Sequence, residues 1–145
     1  MIDGKVARRG GLSSHFGALF DSSLDRYAEF FMFFGVGIFF LRQDTPLGMW
    51  TTIFAFLALG GSMMVSYVRA RAEGLGYECK VGVMQRAERI VLIGVSSLLH
   101  EYVLMVVVWL IAILANFTAF QRMYHVWHSE KSAVSNEEID KELGI

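Results

Sequence analysis

Gly17, Asp21 and Asp25, each four residues from the next, carry the residue types in this chain best suited to chemistry. On an α-helix a step of four drifts only about 40° around the axis, so the glycine and both carboxylates share one stripe. Gly17 has no side chain and lets a flat ring or a phosphate approach the backbone. Asp3 and Arg8 lie upstream, across a Gly10-Gly11 break. Two acids on one face repel unless a divalent cation or an opposing charge holds them together. Taken alone, the acids leave several readings open: an ion pathway, a proton relay, a metal site, or interface acids salt-bridged to Arg26 or Arg8. The upstream arginine and the glycine on the stripe favour a divalent-metal site for a phosphorylated substrate, because Mg²⁺ binds a few carboxylates together with phosphate oxygens.

The elements that must position these acids are apolar helices. Hydrophobic residues make up 54% of the 145, and mean hydropathy is positive, which points to a membrane protein. A helix from about Ser14 to Leu41 is expected to carry the acid stripe first and an apolar run, Tyr27 to Leu41, second. Arg42 to Pro46 reads as a turn. A second span follows from about Leu47 to Val68, with Trp50 and Tyr67 near its ends and a narrow point at Gly60, Gly61 and Ser62 for close helix contact. A polar loop is expected from Arg69 to Arg89. The apolar run from Ile90 to Phe120 is too long for one crossing, and His100-Glu101 divides it into spans of about Ala87 to Leu99 and Tyr102 to Phe120. The tail after Trp127 is expected to be a solvated, polar helix.

Four spans put both chain ends on one side. Of the 13 Lys and Arg, only Arg42 falls on the other side, so the positive-inside rule makes the acid side cytoplasmic. The single cysteine, Cys79, offers no internal disulfide or metal-ligand spacing. No cleavable signal peptide is visible. His15, His100, His125 and His128 do not read as a ligand cluster. The basic residues alternate with apolar ones at a membrane edge, so nothing favours nucleic acid.

Written as a pattern, the first stretch is DGxxAR(x8)G(x3)D(x3)D, carried by Asp3, Gly4, Ala7, Arg8, Gly17, Asp21 and Asp25. It resembles the signature of the CDP-alcohol phosphatidyltransferase family. The family pattern also has an aspartate three residues before Asp3, which falls ahead of Met1, so the chain is expected to be an N-terminally truncated copy. The resemblance implies an all-α, polytopic integral membrane bundle, with four of the family's usual six transmembrane helices here, commonly as a homodimer. It implies a partial membrane domain over 1–125 and a cytoplasmic tail over 126–145, in a bacterial inner membrane with the site facing the cytoplasm. It further implies Mg²⁺ or Mn²⁺ on Asp3, Asp21 and Asp25, with Asp25 as the catalytic base. Gly4, Ala7, Arg8 and Gly17 would bind the CDP of CDP-diacylglycerol.

Arg69, Arg71, Arg86, Arg89 and Arg122 sit on the acid side. Arginines at a lipid interface bind headgroups or snorkel, but guanidinium forks also grip phosphate oxygens in pairs, so an acceptor that already carries a phosphate is the sharper reading. The SYVRARAEG and QRAERI segments resemble the family branch that uses inositol 1-phosphate, the phosphatidylinositol phosphate synthases; glycerol 3-phosphate is the alternative acceptor. Glu73 and Glu88 read as salt-bridge partners that orient the arginines. From another class, a non-catalytic helical bundle or a small ion-pathway protein stays open.

Overall fold

A computed structural model of the chain describes residues 15–79, 81, 82 and 84–143, with side chains described through Ser132. Asp3, Gly4, Ala7 and Arg8 lie outside the described residues. Four helices follow one another: α1 His15–Leu41, α2 Pro46–Gly74, α3 Arg86–Leu99 and α4 Glu101–Leu143. Among the described residues there is no strand.

The breaks fall where side-chain chemistry puts them. After α1 the chain reverses through Asp44, whose φ is 49°. Thr45 then caps α2, its hydroxyl accepting from the Gly48 N–H at 3.0 Å, and Pro46 opens the helix where a missing N–H costs nothing. His100, in extended conformation, separates α3 from α4, as the sequence led one to expect. Gln43 donates to Glu101 at 3.1 Å, tying the two turns at that end of the bundle.

α2 packs against α1 and α4, while α3 leans on α4. Ala55, Ala58, Gly61 and Ser62 line the buried face of α2, and their small size brings the helices close. At Gly61 a methyl group would stand 2.8 Å from Asn116 Nδ2 and 2.9 Å from the Asn116 backbone nitrogen. Only glycine fits there. Gly60, its neighbour, faces open space. The core joins Phe33 and Phe40 of α1 to Val108 and Ile111 of α4 through these small residues. Large apolar side chains such as Phe31, Leu98, Ile113 and Phe120 point outward, an arrangement costly in water and suited to lipid.

Two expectations are corrected. The arginine-rich loop is shorter than Arg69 to Arg89, because α2 runs to Gly74 and α3 starts at Arg86. All four expected helices form, and among the described residues two of them, Pro46–Gly74 and Glu101–Ser132, are long and apolar enough by themselves to cross a membrane. The 14 residues of α3 reach only about 21 Å, and Asp25, Arg26 and Glu29 shorten the uninterrupted apolar run of α1. Finally, Glu88 does not pair with an arginine; it accepts from the Gln85 N–H at 2.8 Å and closes the N-terminus of α3. Glu73 does pair, with Arg69 at 2.9 Å. The tail is helical, and α4 passes residue 125 without a break.

Candidate active site

Two stripes of α1 divide the chemistry. Asp21 and Asp25 lie on the first, with Asp21 exposed and Asp25 partly covered. Ser22, Arg26, Glu29 and Phe33 form the second, three to four residues apart and turned toward the bundle. Ser22, Ser23 and Arg26 form part of the wall of a cavity of about 800 Å³. Arg69 and Glu73 reach it from α2, Arg86 and Arg89 from the first turn of α3, and Arg122 from α4. Three segments distant in sequence thereby bring four of the five expected acceptor arginines together. Arg71, exposed on α2, does not line the cavity.

The arginines are held differently. Arg89 is 1% exposed and Glu29 is fully buried. Arg89 Nε and Nη2 both donate to Glu29 Oε1, at 2.9 and 2.7 Å, and Nη1 donates to the Met84 carbonyl at 3.3 Å. Arg122 donates to the carbonyls of Val81, at 2.6 Å, and Val65, at 2.7 Å, fixing the connecting loop to α2. Gly82 makes room for it: a methyl there would lie 3.0 Å from Arg122 Nη2. Arg86 forms an ion pair with the Asp25 carboxylate and donates to the Asp25 carbonyl at 3.0 Å.

The Arg86 guanidinium, hydrogen-bonded to the Asp25 carboxylate, holds that carboxyl below the ordinary carboxylate range. Desolvation works against it, while the charges of Arg86 and Arg26 add to it. Asp25 is therefore ionised. Neither Asp21 nor Asp25 belongs to the cavity wall, and Arg86 serves both regions. An acid-bearing face of α1 thus lies beside a cavity lined by guanidiniums.

Among the described residues no three His, Cys, Asp or Glu side chains gather as metal ligands. Asp21 and Asp25 supply two hard oxygen donors one turn apart, and the third expected ligand, Asp3, lies outside the described residues. The donor chemistry fits Mg²⁺ or Mn²⁺, which take carboxylate oxygens readily. Gly17 lies in the first turn of α1, at the end of the helix that carries the acids. Cys79 is buried and free.

Sequence reasoning missed two residues. Arg26 was weighed only as a partner for the acids, and Glu29 was not weighed at all. The signal was present in the 22, 26, 29, 33 spacing, one column around the helix from the acid stripe.

Comparison with known proteins adds to this geometry. A family model described as CDP-alcohol phosphatidyltransferase matches residues 1–121. The chain is 40% identical over 135 residues to the archaetidylinositol phosphate synthase of Methanothermobacter thermautotrophicus, covering 90% of this chain and 65% of that one. It is similar to the crystal structure of Mycobacterium tuberculosis phosphatidylinositol phosphate synthase with CDP-DAG bound: TM-score 0.71, 34% identity, 88% of this chain and 66% of that one. A second crystal structure of that synthase, in complex with manganese and citrate, gives a TM-score of 0.73 at 30% identity, over 88% of this chain and 63% of that one. The chain thus spans a little under two thirds of the length of these relatives.

Proposed function

Because the chain belongs to the CDP-alcohol phosphatidyltransferase family, we propose that it transfers a phosphatidyl group from CDP-diacylglycerol to a phosphorylated polyol, inositol 1-phosphate, with release of CMP. The observation that carries this reading is the cavity where Arg69, Arg86, Arg89 and Arg122 converge beside the acid stripe. An acceptor that brings its own phosphate needs such a pocket; a neutral alcohol does not. The relatives named as inositol phosphate synthases support the choice of acceptor. The partial membrane domain occupies 1–125 and works as a homodimer, with its active site facing the cytoplasm.

In this reading Asp3, Asp21 and Asp25 would hold Mg²⁺ or Mn²⁺, which would supply positive charge to offset that growing on the departing CMP. Gly4, Ala7, Arg8 and Gly17 shape the cytidine diphosphate site. Arg69, Arg86, Arg89 and Arg122 hold the acceptor phosphate so that one polyol hydroxyl is directed at the lipid-side phosphorus. Asp25 accepts the proton of that hydroxyl. Its pairing with Arg86 keeps it ionised but makes it a weak base, so proton removal requires Arg86 to turn toward the acceptor phosphate.

The test is a side-by-side assay of CMP release with inositol, inositol 1-phosphate and glycerol 3-phosphate. Turnover is expected with inositol 1-phosphate. Equal use of free inositol would remove the need for the arginine pocket, and preference for glycerol 3-phosphate would change the acceptor.

A further inference from the structure

We propose that Arg26 is a further anion-binding residue of the arginine cavity, reaching from α1 to the phosphate of the acceptor. The inference deepens the proposed function and rests on its claim that a phosphate monoester occupies this cavity.

The cavity-lining arginines differ in what they already hold. Arg69 is paired with Glu73, Arg86 with Asp25, and Arg89 with Glu29. Arg122 is held by two carbonyls. Arg26 alone has no ion pair or hydrogen bond among the described residues, and its Nε and Nη1 are buried without an acceptor. A guanidinium stays charged at any ordinary pH, so it cannot relieve this by losing a proton. Leaving such donors unmet is costly, and a ligand with several acceptor oxygens removes the cost.

Charge points to the same ligand. Five guanidiniums line or reach the cavity, and three carboxylates, on Asp25, Glu29 and Glu73, pair with three of them. The charges of Arg26 and Arg122 are left over. A phosphate monoester carries about −1.5 to −2 near neutral pH, which matches that excess. The neighbouring serines cannot serve the anion, because Ser22 and Ser23 both donate their hydroxyl protons to the Leu19 carbonyl, at 3.0 and 2.8 Å. Their oxygens remain free to accept from polyol hydroxyls. Arg26 is thus the α1 residue able to meet the phosphate, and the acids on the next stripe leave the diphosphate of the nucleotide to the other site.

The test is titration calorimetry on the purified chain in detergent, with inorganic phosphate, inositol 1-phosphate, glycerol 3-phosphate and, separately, CDP with Mn²⁺. Arg26→Gln should weaken every phosphate monoester and inorganic phosphate at least tenfold, leave CDP affinity within twofold, and leave the unliganded Tm unchanged or higher. Arg26→Lys should recover part of the phosphate affinity, and it carries the test if Arg26→Gln does not fold. Unchanged phosphate affinity in both variants would overturn the proposal, as would an equal fall in CDP affinity. If the wild type prefers glycerol 3-phosphate and Arg26→Gln weakens it, the proposal stands and the inositol 1-phosphate reading fails.

Discussion

Arg86 holds Asp25 at two points, pairing with its carboxylate and donating to its main-chain carbonyl. One guanidinium from the start of α3 therefore fixes both the side chain and the backbone of an acid 61 residues earlier. Because Arg86 also lines the cavity, what happens at the arginines is communicated to the acid.

The first prediction is the pH dependence of that pair. The folded-state pKa of Asp25 is lowered, so the stabilisation is complete above the unfolded value of about 3.9 and is lost as pH falls through the lower folded value. With 37% of the Asp25 side chain exposed, the contribution is small. Carboxyl NMR titration should show Asp25 returning to the ordinary range in Arg86→Gln. A titration identical to wild type would show that Arg86 is not the cause.

The two acids should separate kinetically. Asp21→Asn should abolish CMP release and sharply weaken Mn²⁺-dependent binding of the CDP-lipid. Asp25→Asn should stop turnover while retaining more of that binding, since a base is needed for the chemical step and less for the ground state. Equal, small effects of both would contradict the assigned roles.

Arg89 should matter twice. Arg89→Ala is expected to raise the acceptor KM at least tenfold with little change in the KM for CDP-lipid, and Arg89→Lys should rescue only partly. It also strands a fully buried Glu29, a loss of about 3–5 kcal/mol when one partner of a buried pair is removed. Glu29→Leu combined with Arg89→Met should unfold at a higher temperature than either single variant. Additive losses would mean that the two residues are not coupled.

Gly61 and Gly60 provide an internal control. Gly61→Ala forces a methyl into the Asn116 backbone and should destabilise the bundle by about 1–3 kcal/mol. Gly60→Ala meets nothing within 4 Å and should be neutral or gain up to about 1 kcal/mol of helix propensity. Thermal unfolding in detergent distinguishes them, and equal Tm values would refute the close α2–α4 approach.

Much of this was readable from the chain because apolar length and polar punctuation are local signals. The acid stripe, the turn at Arg42 to Pro46, the narrow point at Gly61 and the division at His100-Glu101 all follow from residue type and spacing. The extent of α2 was less readable, since Arg69, Arg71 and Glu73 are good helix formers that polarity alone assigns to a loop. Which arginines face one another depends on helix rotation. Arg71 and Arg69 are only two residues apart, yet only Arg69 lines the cavity. Glu29 escaped notice because an acid in an apolar run shows its purpose only when its partner, 60 residues away, is seen beside it.

That separation bears on how the protein is made. A chain synthesised from its N-terminus makes α1 long before α3 exists, so Glu29 waits for Arg89 with only Arg26, one turn earlier on the same stripe, as a nearby cation. An uncompensated acid is expensive within hydrocarbon, which favours keeping the first helix near the membrane surface until Arg89 arrives to draw it inward. Arg89 then both lines the cavity and seats α1 against the bundle.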